Sequence, residues 1–269
     1  MAMSLGCSLV QLSDGRKVLI DSGYPVGWDA SQRFPTLRIE DSVVNALARL
    51  SLTPDDIDIL ITTHVDPDHA SSNDAFPNTE IVTQRAAYDA ARGGKERAAI
   101  TRQHWDTPNL RYRLVDGDAE LLPGIELIST PGHAPGHQSV MVHLPNTGTV
   151  LLAIDAVALA SAFTPDRAAS PMDLDPPAAI QSTIRLLDLA QQEQVDLVVF
   201  GHDGAQWAAL RTAPEFYDQD VAISGMNRRT RRRGSATPAI TRAPLDPSSL
   251  TQEPAPCPSN RSPSRILPR

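Results

Sequence analysis

Apolar and polar positions fall in short blocks through about residue 220, and the period of the blocks changes along the chain. In CSLVQLSDGRKVLIDSG two β-rich runs flank Ser13-Asp14-Gly15, which predicts a hairpin. IEDSVVNALARL then sets Val43, Val44, Leu47 and Leu50 on one helical face. DIDILITTHVDPDH reads as a buried strand that runs straight into a polar cluster. TEIVTQ is a short strand and RAAYDAAR a helix. GIELISTPGH, TVLLAIDA and VDLVVFGHD are three further apolar runs, and each ends in polar residues. Between the last two, PPAAIQSTIRLLDLAQQ predicts a helix with proline at its start and Ile180, Ile184 and Leu187 along one side. Hairpins followed by helix–strand alternation give a mixed α/β (α+β) fold.

The pattern stops near residue 221. Eight of the 23 prolines and nine arginines fall between there and residue 269, with hardly any apolar periodicity. Such a segment buries too little apolar surface to offset its ordering entropy, so 1–220 is expected to be the folded domain and 221–269 a disordered tail. Charge follows the same division. The formal charge of −8 combines 15 basic against 30 acidic residues up to position 220 with nine arginines against Asp246 and Glu253 beyond it. The acidic body argues against a nucleic-acid surface, and RRTRRRG reads as part of a solvated basic tail. Two cysteines, Cys7 and Cys257, exclude a disulfide framework and fit a cytoplasmic protein. No apolar run is long enough for a membrane span.

Four of the apolar runs end in groups suited to metal binding. They supply His64, Asp66, Asp68 and His69, then His133, then Asp155, then His202. Each piece alone has a plainer reading, since aspartate beside a turn is a common helix cap and TPGHAPGH could be a simple Pro/Gly turn. Together they are harder to dismiss: five of the seven histidines lie in these clusters, each after an apolar strand. Loops at strand ends converge on sites because a rigid strand fixes the place from which its loop departs. Imidazole with carboxylate suits zinc, manganese or iron. Seven groups exceed the needs of one tetrahedral ion and match two ions with a shared ligand.

THVDPDH, STPGHAPGHQS, LLAIDA and FGHD resemble the successive metal motifs of the metallo-β-lactamase-fold superfamily, and within it the N-acyl homoserine lactonase group. The likeness spans roughly residues 5–218. It implies a four-layer αββα sandwich and a small-molecule lactone or ester substrate. Carried over position by position, it implies a first metal held by His64, Asp66 and His133. Asp68, His69 and His202 would hold a second, Asp155 would bridge the two, and His137 would support a ligand or loop by hydrogen bonds. The cofactors would be two divalent metal ions. Zinc is the expected ion, and the harder carboxylate at 66 opens the first site to iron or manganese. The implied reaction is attack by a shared hydroxide on a lactone carbonyl, with Asp68 as the catalytic residue that carries a proton to the leaving oxygen. Other hydrolases of this fold act on thioesters, phosphodiesters or sulfate esters, and a non-catalytic metal-binding remnant is a further alternative.

Three departures from the resemblance stand out. Asp66 occupies the place of the family's second histidine, as a carboxylate does in the flavodiiron proteins, although nothing here resembles their flavin domain. Ala158 stands three residues beyond Asp155, where the lactonase group often has tyrosine. The family's first N-terminal strand, ahead of the hairpin that starts at Cys7, has no counterpart, which would leave an open sheet edge or one covered by a homodimer partner.

Overall fold

A computed structural model describes residues 6–25, 41–94 and 96–218. The tail expected to be disordered lies outside the described residues. The predicted hairpin forms from β1 (Ser8–Gln11) and β2 (Lys17–Ile20), paired antiparallel with Leu9 opposite Leu19. Three parallel strands extend it: β3 (Ile59–Ile61), β4 (Glu80–Gln84) and β5 (Arg111–Val115), in the order β1-β2-β3-β4-β5. The second sheet is a meander of β6 (Ala119–Leu122), β7 (Ile125–Ser129), β8 (Gln138–Leu144) and β9 (Gly148–Ile154). β10 (Leu197–Phe200) joins its edge parallel to β9.

The two-residue period of the strands sorts side chains into layers. Val18, Ile20, Ile59, Ile61 and Val82 of the first sheet meet Leu127, Val140, Val142, Leu152 and Val199 of the second in one core between the sheets. The alternate residues face outward. Leu19, Leu60 and Ile81 pack against Val43 and Leu47 of α1 (Val43–Arg49), which Ser42 caps by accepting from the Asn45 amide. Met141, Leu151 and Phe200 pack against Leu186 of α6 (Pro176–Gln192). Helix, sheet, sheet and helix make the expected four-layer sandwich. Short helices α2 (Pro67–Ala70), α3 (Arg85–Arg92), α4 (Glu96–Ala99) and α5 (Arg102–Trp105) share a small cluster around buried Trp105. A last turn, α7 (Gly204–Trp207), follows β10 and is capped by Asp203. Among the described residues no helix is long and apolar enough to cross a membrane.

Two details depart from the sequence pattern. β5, β6 and β8 lie beyond the predicted strands. β5 carries exposed Arg111 and Arg113, β6 is only four residues long, and β8 starts directly after a Pro/Gly turn. In α6 the most buried positions are Ala179, Ser182, Thr183 and Leu186, while Ile180, Ile184 and Leu187 are only half-buried. The helix sits on the TPGH loop through its small residues. Ser182 Oγ donates to the Pro131 carbonyl at 2.6 Å, and a Cβ on Gly132 would lie 2.1 Å from the Ala179 nitrogen. With φ at +137°, position 132 has room for glycine alone.

Candidate metal centre

The strand ends converge. His64 and Asp66 follow β3, Asp68 and His69 lie in α2, His133 follows β7, Asp155 follows β9, and His202 follows β10. Asp66 occupies the cap position of α2, yet its side chain makes no capping hydrogen bond. Its Oδ2 instead lies 3.5 Å from His64 Nε2 and 3.4 Å from His133 Nε2. Asp68 Oδ2 is 3.6 Å from both His69 Nε2 and His202 Nε2. Asp155 stands between the groups. Its Oδ2 is 3.3 Å from His133 Nε2, 3.6 Å from His69 Nε2 and 3.9 Å from His64 Nε2, and its carboxylate is 3.0 Å from His202 Nε2. The sets Asp68, His69, Asp155, His202 and His64, Asp66, His133 could each hold a metal ion. All seven sequence-predicted residues are therefore together.

The backbone is bent to achieve this. Ile154, a β-branched residue, has φ +52°, a conformation that stores strain. The β9–β10 register slips at the same place, between Val199 and Phe200. The bulge and the strained residue turn Asp155 out of the strand and into the cluster.

Hydrogen bonds on the far side of each ring orient the imidazoles. Asp21, at the end of β2, accepts from the Thr63 amide at 2.8 Å and the Thr63 hydroxyl at 2.9 Å. Since that hydroxyl has only one hydrogen, it accepts from His64 Nδ1, 3.2 Å away. His69 Nδ1 lies 2.8 Å from Asp21 Oδ2. Both rings thus turn Nε2 toward the cluster. His137, fully buried, shares a hydrogen bond with Thr130 Oγ1 through Nδ1 at 2.9 Å. Its Nε2 accepts from the Asp155 amide at 3.2 Å, the supporting role expected of it. Burial, followed by the charges of His64 and His133, keeps His137 neutral well below the usual imidazole range.

The electrostatics call for positive charge. Burial opposes ionisation of Asp155, but the charge of His69 and the hydrogen bond from His202 outweigh it and hold the carboxyl well below its ordinary range. Burial likewise opposes charge on His133, yet Asp173, Asp66 and Asp155 push it up to about 9. The Nε2 atoms of His64 and His69 and Asp155 Oδ1 are buried without a hydrogen-bond partner. Ligand atoms about 2.1 Å from a tetrahedral ion lie about 3.4 Å apart, close to the separations found here. The residues fit divalent cations.

Three supporting residues escape a motif-based reading. Asp21 ends a strand as the other site residues do, and that position is the signal that could have found it. Asp173 lies 3.7 Å from His133 Nδ1 and pairs with buried Arg167. Arg97, on α4, has Nε 3.1 Å from Asp66 Oδ2, and no sequence pattern marks it. The two histidines outside the motifs take part in side-chain pairs elsewhere, His104 with Asp74 and His143 with Glu126.

Residues 7–202 match the Metallo-beta-lactamase superfamily family profile. The N-acyl homoserine lactonase AiiA of Bacillus thuringiensis subsp. kurstaki is 34% identical over 221 residues, 78% of this chain and 85% of its own length. The N-acyl homoserine lactonase AttM of Azorhizobium caulinodans is 30% identical over 201 residues, 69% of this chain and 73% of its own. A solved N-acyl homoserine lactone hydrolase, with the product N-hexanoyl-L-homoserine at its catalytic metal centre, is similar at TM-score 0.70. It is 33% identical, and the match covers 79% of this chain and 86% of that one.

Proposed function

Since the chain belongs to the metallo-beta-lactamase superfamily, we propose that it is a dinuclear metal-dependent hydrolase that opens lactone rings, N-acyl homoserine lactones first among them. The observation that carries this reading is Asp155, whose carboxylate lies within 3.9 Å of imidazole nitrogens from both ligand sets. His64, Asp66 and His133 would hold one cation, Asp68, His69 and His202 the other, and Asp155 would touch both. When bound, the two cations supply Lewis acidity, which lowers the pKa of water toward neutrality and polarises an ester carbonyl.

The protein's own residues do the rest. The Asp68 side chain is 19% exposed, against 11% or less for the other six, so it is the one that reaches a substrate at the rim. It is suited to carry a proton to the ring oxygen as the C–O bond breaks. The buried Asp21–Thr63 pair fixes the imidazoles behind it before any substrate arrives. Zinc fits the nitrogen-rich set, and the third carboxylate at 66 also admits iron or manganese. A chain with two cysteines suits the reducing cytoplasm.

The test is hydrolysis by metal-loaded protein across lactones, linear esters and thioesters, with products identified. Ring-opened acyl homoserine supports the reading. Inactivity on every lactone, or His64→Ala as active as the unaltered protein, ends it.

A further inference from the structure

Asp66 brings a negative charge into a position where an imidazole would be neutral, and Arg97 lies against it. The guanidinium cannot swing freely. Nη2 donates to the His133 carbonyl at 2.7 Å and Nη1 to the Met172 carbonyl at 3.0 Å, which leaves Nε 3.1 Å from Asp66 Oδ2. That oxygen is the one facing His64 and His133. Asp66 is 8% exposed and Arg97 Nε is buried, so water screens the pair poorly. The carboxylate is not engaged in capping α2.

We infer that Arg97 is a positioning residue that neutralises Asp66, so that the Asp66–Arg97 pair presents to the first cation the net charge of an imidazole. This rests on the reading of His64, Asp66 and His133 as ligands. A carboxylate whose charge is partly drawn toward a guanidinium binds a cation less tightly and leaves it a stronger Lewis acid than a bare carboxylate would. Changing Asp66 alone to histidine leaves the Arg97 charge uncompensated beside the site, so restoring an imidazole should weaken the first cation rather than strengthen it.

The experiment uses zinc alone and four full-length proteins: unaltered, Arg97→Gln, Asp66→His, and the double variant. Each is loaded with zinc, and its release to a chromophoric chelator is followed together with stoichiometry by elemental analysis. Zinc retained at the Asp68, His69, His202 set reports that each variant is folded. The expected order of retention at the first site is Arg97→Gln, then the unaltered protein and the double variant alike, then Asp66→His, with about tenfold between steps. A merely structural role for Arg97 would instead make Arg97→Gln release zinc faster whichever residue stands at 66, and that result overturns the inference. So does Asp66→His retaining zinc as well as the unaltered protein. One zinc in the unaltered chain but two in Arg97→Gln also overturns it, since the guanidinium would then be standing in for the cation. No zinc at all in the unaltered chain removes the ligand reading itself, a failure distinct from a wrong order among zinc-loaded proteins.

Discussion

His69 Nδ1 lies 2.8 Å from Asp21 Oδ2, and the same carboxylate accepts the Thr63 hydroxyl that faces His64 Nδ1. One side chain thereby sets the ring orientation of a histidine in each of the two candidate ligand sets. Asp21→Asn puts an amide donor where His69 Nδ1–H points, which favours the wrong tautomer. Zinc affinity is expected to fall about 10–100-fold, measured by competition with a chelator of known affinity. Both sites should weaken together, because Thr63 relays the change to His64. Unchanged affinity would remove Asp21 from the site's support.

Gly201 matters for space rather than for backbone freedom. A Cβ there would lie 2.3 Å from Asp155 Oδ1 and 2.8 Å from the Ile154 carbonyl. Ile154 is already strained, so the segment cannot easily give way. Gly201→Ala is expected to displace the Asp155 carboxylate, lowering zinc content below two equivalents and lactone hydrolysis by about 100-fold or more. Circular dichroism should remain that of the folded protein. Full zinc content and activity in this variant would mean that the loop accommodates the methyl group.

Much of this is legible in the sequence because strands keep a strict period and their ends are chemically abrupt. That regularity yields the hairpin, α6 to the residue, and all seven candidate ligands. The features that stay hidden have physical causes. Arg97 reaches Asp66 from a four-residue helix whose pattern says nothing of what it faces. Asp173 lies in an irregular segment with no period at all. The buried face of α6 departs from the apolar stripe because close approach to the Pro131-Gly132 loop selects alanine, serine and threonine, whereas apolar bulk marks a core. Asp66 is visible as a candidate ligand, but its contact with Arg97 exists only in the tertiary structure.

Arg167 and Asp173 form an ion pair almost without solvent, with side chains 4% and 1% exposed. Arg167 Nη1 also donates to the Ala156 carbonyl at 2.6 Å and to Thr183 Oγ1 at 3.0 Å, which ties the segment after Asp155 to α6. Removing Arg167 takes the guanidinium from a buried carboxylate and leaves it only the Ser170 amide and the more distant His133 ring. Arg167→Met is expected to cost about 3–5 kcal/mol, or roughly 10 °C in melting temperature. Arg167→Met combined with Asp173→Leu should recover most of the loss, because the stranded carboxylate is gone. Urea unfolding of the metal-free proteins reads both, and a double variant no better than the single would contradict the argument.

Asp218 gives a stability effect with a definite sign in pH, away from the metal centre. Its carboxylate accepts from the Asn146 amide at 3.1 Å, the Thr147 amide at 2.9 Å and the Thr147 hydroxyl at 2.6 Å, pinning the segment before residue 219 to the β8–β9 turn. Partial burial works against ionisation, but these donors prevail and hold the group below its ordinary value of 3.8. A depressed folded-state pKa stabilises the fold at pH values above the unfolded-state pKa, near 3.9, and that contribution disappears as pH falls through the lower folded value. The unaltered protein should therefore melt a few degrees above Asp218→Asn at pH 6–7. The gap should hold to about pH 5 and close below about pH 4, as the carboxyl takes up its proton and becomes a neutral acceptor like the amide. Melting curves of the two proteins at half-unit steps of pH decide the matter, and a gap that widened on acidification would show that the Thr147 contacts do not favour the ionised form.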